Sequence, residues 1–484
     1  MASEMLSRNK FLDWFCGTGF YLFLFLIPFQ IRATIWGPPA GGEWNSIFLY
    51  LTDLLLVGVF ILWGYRFYKS HKIDRTDRSY RSYFLLAIFL LIAGISIFAS
   101  SNLGISIYRF VKLLEFAFLY IYVRDPEVRL PQSGGLQPRT LEERDYGARS
   151  IKGICKVLIA SGVFQAILAI AQFYKQSSLG IKFVEAGKYL PGAAGVATFI
   201  SNDAKIMRAY GSFPHPNVLA GFLLLAIFCF YYLWLTKRIS LISPIGPIAF
   251  MLMVFALFVS FSRTTIFVFL VISFIFLLVK FFRLRQLYLT EERLLAGKRL
   301  MILALFFIVF SALSSTVLLP YMKTRFLTIS LQEEAIDLRF FYNKIALNII
   351  KNKPILGIGV GNFVNYSQNY PAFLRAANAM LGGGGQGNIE IPSWLYQPTH
   401  NIYLLIASEI GILGLLVFLL FIAKTLIGHI RYISPMGFLF IGFLIIGLFD
   451  HYFWTLQSGS LMFWLGLALI GLHSSTDRTQ VSGT

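Results

Sequence analysis

Charge is scarce in this chain. Of 484 residues only 13% are Asp, Glu, Lys or Arg, against 57% hydrophobic, and the mean hydropathy is +0.69. A water-soluble domain of this size needs a far larger charged surface, so that class is excluded. Cysteine is scarcer still: Cys16, Cys155 and Cys229 all fall in or beside apolar runs, which excludes a disulfide framework. No internal repeat and no soluble domain stand out. His, Cys, Asp and Glu nowhere gather at metal-ligand spacing, so no metal is expected. The shortage of acids leaves a net charge of +19, from 42 Lys and Arg against 23 Asp and Glu. In a soluble protein that excess would suggest nucleic acid. Here the basic residues sit in short segments between apolar runs, the signature of membrane topology, and no nucleic-acid partner is expected.

What the chain has in abundance is Phe, 49 copies, and one apolar run after another. A bilayer core about 30 Å thick needs ~20 apolar residues per helix. Such runs occur near 15–31, 46–66, 83–100, 104–123, 153–173, 217–236, 245–262, 264–282, 300–319, 401–423, 436–453 and 456–473. The expected fold is therefore all-α, a polytopic bundle of about twelve transmembrane helices forming a single membrane domain over 1–484. The first run is not read as a cleavable signal peptide, because no small-residue cleavage site follows in Ile31–Pro39. With both termini inside, the inner segments collect 25 of the 42 Lys and Arg, and the short outer connections carry only Arg32 and Arg263.

That topology leaves two long outer segments, 174–215 and 320–400, the second inserted between spans nine and ten. Long loops on one face of a bundle commonly carry function. Within the second, Glu333–Lys353 is expected to be helical, with apolar Ile336, Phe340, Ile345, Leu347 and Ile350, closed by Pro354. Gly357-Ile-Gly-Val-Gly361 follows as a tight turn. It is not a nucleotide fingerprint, since no strand precedes it in a βαβ unit. Leu381–Asn388 is a glycine-rich tract. Glu333, Glu334 and Asp337 suit a first helical turn, where the macrodipole favours acids.

The sharpest motif is His400-Asn401, nine residues, then Gly411-Ile-Leu-Gly414. Upstream stand Arg339 leading RFFYNKIALNIIKNKPILGIGVGNF, Arg208 ahead of GSFPHPNVLAGF, and Ser260-Phe-Ser-Arg263-Thr264 between spans seven and eight. These four blocks, in this order over roughly 205–420, resemble the O-antigen ligase and polymerase family of bacterial membrane glycosyltransferases. The first 200 residues match that family only in hydropathy. The resemblance implies a GT-C-like bundle in the bacterial inner membrane, its active site facing the periplasm or cell exterior. It implies an inverting, metal-independent enzyme without a cofactor. The donor would be an undecaprenyl-diphosphate-linked glycan and the acceptor a lipid-linked or glycan hydroxyl. The ligase reading, with a lipid A-core acceptor in lipopolysaccharide biosynthesis, leads. Polysaccharide polymerase and protein O-oligosaccharyltransferase are the alternatives.

Such chemistry needs cations to hold a diphosphate as it leaves and a base to take the acceptor's proton. Arginine suits the first task by its charge and fork of donors. Histidine suits the second by its pKa. The resemblance carries the family's functional positions to Arg263, Arg339 and His400. Arg208 and His215 are candidate substrate contacts, although His215-Pro216-Asn217 also reads as a helix entrance with Asn217 as cap. Asn401 and Arg109 complete the binding candidates. Arg109, Lys112 and Glu115 put a polar face on span four, and Asp53 is expected to pair with Arg109 or line a path for the carrier. Glu409 lies nine residues beyond His400, on the opposite side of a helix about 13 Å further along, and is expected to be a buried structural carboxylate. A secondary transporter or flippase of an anionic lipid or solute is the rival from another class. Its usual signs, inverted repeats and paired broken helices, are not evident.

Overall fold

The computed structural model describes residues 17–37, 43–70, 80–124, 151–236, 239, 244–285, 291–327, 334–368, 370–371, 395–427 and 433–470. The glycine-rich tract Leu381–Asn388 lies outside them. In chain order the elements are α1 (Gly17–Leu26), β1 (Arg32–Trp36), β2 (Ile47–Tyr50), α2 (Leu51–Ser70), α3 (Tyr80–Ser96) and α4 (Leu103–Arg124). Then come α5 (Ile151–Lys175), β3 (Thr198–Ser201), β4 (Ala204–Met207), α6 (Pro216–Leu235), α7 (Ile245–Val259), α8 (Arg263–Arg285) and α9 (Glu291–Val317). The remainder are α10 (Leu319–Leu327), α11 (Glu334–Asn352), α12 (Phe363–Gln368), α13 (Ile402–Ile427), α14 (Pro435–Ile446), α15 (Tyr452–Thr455) and α16 (Gln457–Leu469). The chain is a polytopic helical membrane protein. Five helices, α5, α6, α8, α9 and α13, are long and apolar enough to cross a bilayer by themselves, and α1, α2, α3, α7 and α14 are shorter apolar helices.

Hydrophobicity all round a helix predicts burial on every side, and α6 obeys: 94% of its span is inside the bundle, against 28% of α9. Helix α5 packs on α6 and α7, α13 on α3, and α16 on α4. His215 caps α6 by accepting from the Asn217 amide at 3.2 Å, with Pro216 in the first turn. The cap is thus His215 rather than Asn217, whose side chain is used elsewhere.

Three apolar runs are not continuous helices. The first ends at Leu26 because Pro28 cannot continue it, and the chain then pairs β1 antiparallel with β2. The second begins as that strand and turns helical only at Leu51. The run 436–453 breaks after Ile446. Its freed carbonyls are stitched to the start of α13: Ile402 N donates to Gly447 O at 2.8 Å, and Asn401 Nδ2 to Leu448 O at 3.2 Å. Backbone breaks at membrane depth persist where protein satisfies the freed groups.

Helix α13 is interrupted as well. Gly411 has φ 87° and ψ 168°, and a Cβ there would fall on the Ile355 carbonyl oxygen. Only glycine tolerates both conditions. Into this break fits the loop 354–361, with Ile412 N donating to Pro354 O at 2.8 Å and Ile358 N to Ser408 O at 3.0 Å. The loop is clamped on its other side to the α3–α4 junction, where Ser106 Oγ donates to Val360 O at 2.7 Å and Asn102 N to Asn362 Oδ1 at 3.1 Å. The GIGVG turn therefore ties the outer loop to two separate helices.

Helix α11 rests on a small core of its own. Tyr342, Ile345, Ala346 and Ile349 pack with Ile358, Phe363, Val364, Leu395 and Leu405. Two apolar residues of this helix stay outside that core: Phe340 is 62% and Leu347 54% exposed. Tyr342 Oη donates to Leu395 O, and Thr399 Oγ1 to Asn343 Oδ1 at 2.5 Å. Asn343 is one turn past Arg339 and Thr399 precedes His400, so these bonds fix the two functional candidates together.

Candidate active site

Arg208 follows β4 and is drawn inward by the α7–α8 turn. Ala209 N donates to Val259 O at 3.2 Å, and Arg208 Nε donates to Ser260 O at 2.8 Å. Its Nη2 donates to Asn217 Oδ1 at 2.5 Å, and Asn217 Nδ2 donates to Asp450 Oδ2 at 2.7 Å. Asp450 Oδ1 accepts from the His451 amide at 2.8 Å. The His451 ring shares a hydrogen bond of 2.7 Å with Thr455 Oγ1 and meets the His400 ring edge to face at 4.7 Å between centroids. On its far side His400 lies near parallel to Tyr342, at 6.3 Å. A continuous polar path thus runs from the α7–α8 turn through the α6 entrance to the α14 break and the start of α13.

Electrostatics define what this path is for. Burial, then Arg325 and Arg339, push the Arg208 guanidinium down to about 9, so it stays cationic at neutral pH. Arg208 feels the charges of both Arg325 and Arg339, and Asp450 supplies one negative charge against them. Mutually repelling cations in a buried setting favour an anion. Burial, then Arg208, push the His215 imidazole down to about 3, and its Nδ1 serves as helix cap. His400 is held well below its usual value by burial, then by His451 and Arg339, with the Pro398 carbonyl acting the other way. Both histidines are neutral at pH 7. His400 Nδ1 is buried and accepts no hydrogen bond among the described residues. With the proton on Nε2, that nitrogen is a base with its lone pair unused.

Among the residues expected from sequence, Arg208, His215, Arg339 and His400 come together. Arg263 reaches the same neighbourhood through backbone: its Nε donates to Arg325 O at 2.8 Å, at the carboxyl end of α10, where a cation is favoured. Asn401 caps α13, its Oδ1 accepting from Tyr403 N at 2.9 Å and Leu404 N at 3.0 Å. Arg109 stands apart, donating to Thr455 O at 2.9 Å and Glu43 O at 3.2 Å. It does not pair with Asp53. Lys112, one turn deeper on α4, does so instead, and also bonds Glu115 at 3.1 Å. Gln457 Nε2 closes the group on Asp53 Oδ1 at 2.6 Å. Glu409 is buried as expected, accepting from Trp454 Nε1 at 3.0 Å and Phe363 N at 3.3 Å.

Arg325, Asp450 and His451 were missed from sequence. For the last two the signal was present: an ionisable pair inside an apolar stretch is costly unless it has a task. Arg325 sits in a short loop helix and carries no such mark. Next to the histidine pair lies a cavity, whose lining includes Trp44, Thr455 and Pro398.

Residues 248–419 match the family model described as O-antigen ligase. Over that stretch the chain is similar to the O-antigen ligases. The stretch runs from α7 into α13 and contains Arg263, Arg325, Arg339, His400 and both motif glycines, Gly411 and Gly414. Arg208, His215, Asp450 and His451 lie outside it yet complete the same cluster. A comparison with curated proteins finds no match. The similarity of this stretch to O-antigen ligases supports, in general terms, a role in transferring lipid-linked glycans.

Proposed function

We propose that this membrane protein transfers a glycan from an undecaprenyl diphosphate carrier to an acceptor hydroxyl at the outer face of the bacterial inner membrane. The transfer is of the O-antigen ligase type, with polymerase and protein O-glycosylation as variants of the same chemistry. The observation that carries it is the cationic cluster: buried Arg208 feels the charges of Arg325 and Arg339, and Arg339 in turn acts on a neutral, half-buried His400. In this reading the bundle has about twelve spans with both termini cytoplasmic, and 320–400 is the extracytoplasmic loop. Arg263 and Arg339, aided by Arg208, hold the diphosphate. His400 Nδ1 takes the proton of the acceptor hydroxyl as its oxygen forms the new bond to the anomeric carbon. The bond from that carbon to the diphosphate oxygen breaks, its electron pair leaves on the phosphate, and the guanidiniums stabilise the charge that develops. A single displacement of this kind inverts the anomeric centre. It calls on no metal or cofactor.

The test is to incubate purified full-length protein with carrier-linked glycan and candidate acceptors. Covalent transfer, lost in His400→Ala while the variant stays folded in the membrane, is the expected result. Movement of the lipid-linked glycan across vesicles without any new bond would replace the transferase by a flippase. The acceptor that gains glycan separates ligase, polymerase and protein glycosylation.

A further inference from the structure

The cavity beside the histidine pair is built differently from the arginine cluster, and its walls specify a ligand. Three of its lining residues also belong to the catalytic candidates' surroundings. Trp44 meets the His451 ring at 5.4 Å, Thr455 holds His451 Nδ1, and Pro398 sits two residues before His400. A group filling the cavity would therefore present itself to the proposed base.

Its cations are already engaged. Both Nη atoms of Arg109 donate to backbone carbonyls, and Lys112 is clasped by Asp53 and Glu115. Glu43 and Glu409 put further carboxylates in the wall. A phosphate would find Lys112 matched by two carboxylates and the Arg109 fork turned to backbone carbonyls, and would face the carboxylates of Glu43 and Glu409. What remains is aromatic: Trp44, Tyr50, Tyr108, Trp454 and Trp464 supply ring faces. Glu43 Oε1 takes bonds from Arg32 at 2.5 Å and Tyr50 at 3.2 Å, while its Oε2 accepts none among the described residues. Ring faces beside an acceptor oxygen suit a polyhydroxylated ring with apolar C–H faces.

We propose that this cavity holds an uncharged sugar ring of the acceptor glycan, seated between Trp44 and Glu43. The proposal deepens the transfer reading and rests on it. Pyrophosphate goes to the arginines and the acceptor's sugar to the aromatic chamber, with His400 at the boundary. The wall from the hairpin and α4 lies outside residues 248–419, so choice of sugar is separated in the sequence from the family-like stretch.

Saturation-transfer NMR on the full-length protein in lipid nanodiscs tests this with three probes: methyl β-D-glucopyranoside, methyl β-D-glucuronide and inorganic pyrophosphate. The neutral glycoside should receive saturation, the glucuronide far less. The glycoside signal should fall about tenfold in Trp44→Ala, as loss of a stacking platform predicts, and also fall in Glu43→Gln, with Trp44→Phe retaining most of it. Pyrophosphate binding, followed by calorimetry, should persist in these variants and disappear in Arg339→Gln. Glycoside binding unchanged in both Trp44→Ala and Glu43→Gln would overturn the assignment, as would pyrophosphate binding that depends on Trp44. Should Trp44→Ala not fold, Glu43→Gln and Trp44→Phe decide alone. Loss of pyrophosphate binding from the wild type, with glycoside binding intact, would instead strike the transfer reading and leave the sugar site standing.

Discussion

Two charged groups lie within a few residues of each other and are wired in opposite ways. Around Lys112, every charge has its complement: Asp53 and Glu115 flank the ammonium and Gln457 bridges the carboxylates. Around Arg208, two further guanidiniums, Arg325 and Arg339, act against it, and the Asp450 carboxylate acts the other way, its hydrogen-bonded link to Arg208 running through Asn217. A saturated buried network holds helices in place. A cluster left with excess charge is held by its scaffold in anticipation of a ligand. The difference separates structure from function without reference to position in the sequence.

The comparison breaks first at His400. His400→Ala should lower transfer by about 10²- to 10⁴-fold, the usual contribution of a general base, while thermal stability changes little. Comparable rates in the variant would remove the base. The saturated group should answer in the other currency. Lys112→Met leaves two carboxylates buried without their cation, and a loss of about 3–5 kcal/mol is expected. The triple variant Asp53→Asn, Lys112→Met, Glu115→Gln should recover most of it in a denaturation experiment. A single Lys112→Met as stable as wild type would show that water reaches the site and that its charges are not mutually locked.

Arg339→Gln tests the unsaturated side. Transfer should fall about 10²- to 10³-fold, as for loss of one stabilising donor of a leaving charge, and inorganic pyrophosphate should cease to raise the melting temperature. Arg208→Lys should not rescue function, because one ammonium cannot bond Ser260 O and Asn217 Oδ1 together at the observed positions. Stabilisation of Arg339→Gln by pyrophosphate equal to that of wild type would mean the anion sits elsewhere.

Much of this was legible from residues alone. The helical membrane fold followed from apolar run length, and the blocks holding Arg263, Arg339 and His400 lie within the stretch that matches the family model. Hydropathy does not register where a run bends. It could not tell that 46–50 pairs as a strand, or that Gly447–His451 opens a break whose carbonyls cap α13. Pairing was likewise beyond it: Asp53 finds Lys112 rather than Arg109 because the choice turns on one helical turn of depth. Periodicity on α11 marks apolar positions without telling which face the GIGVG loop covers: Ile345 is buried, whereas Phe340 and Leu347 are exposed.

A smaller effect concerns pH. His400 is held below its usual value chiefly by burial, so protonation is resisted in the folded protein. The acidic limb of kcat/KM should accordingly lie below pH 6.5, and activity should persist at pH 6. For stability the sign is the opposite kind of statement: the unfolded chain binds a proton at His400 below about pH 6.5 where the folded chain does not, so stability falls as pH drops through that range. A limb at or above 6.5 would show that His400 is well solvated or is not the titrating base.

The smallest effect is expected one residue away. Asn401 belongs to the sharpest motif in the sequence, yet its amide is fully occupied: Oδ1 holds the Tyr403 and Leu404 amides and Nδ2 holds Leu448 O. If that is its whole role, Asn401→Ala should cost about 1 kcal/mol, the usual worth of a helix cap. Asn401→Asp keeps the acceptor and should recover most of the loss, and KM for the acceptor should be unchanged in both. A rise in KM in Asn401→Asp at undiminished stability would instead make Nδ2 a substrate contact that displaces Leu448 O on binding. The motif would then couple two tasks in adjacent residues, the base in His400 and a ligand-dependent helix start in Asn401.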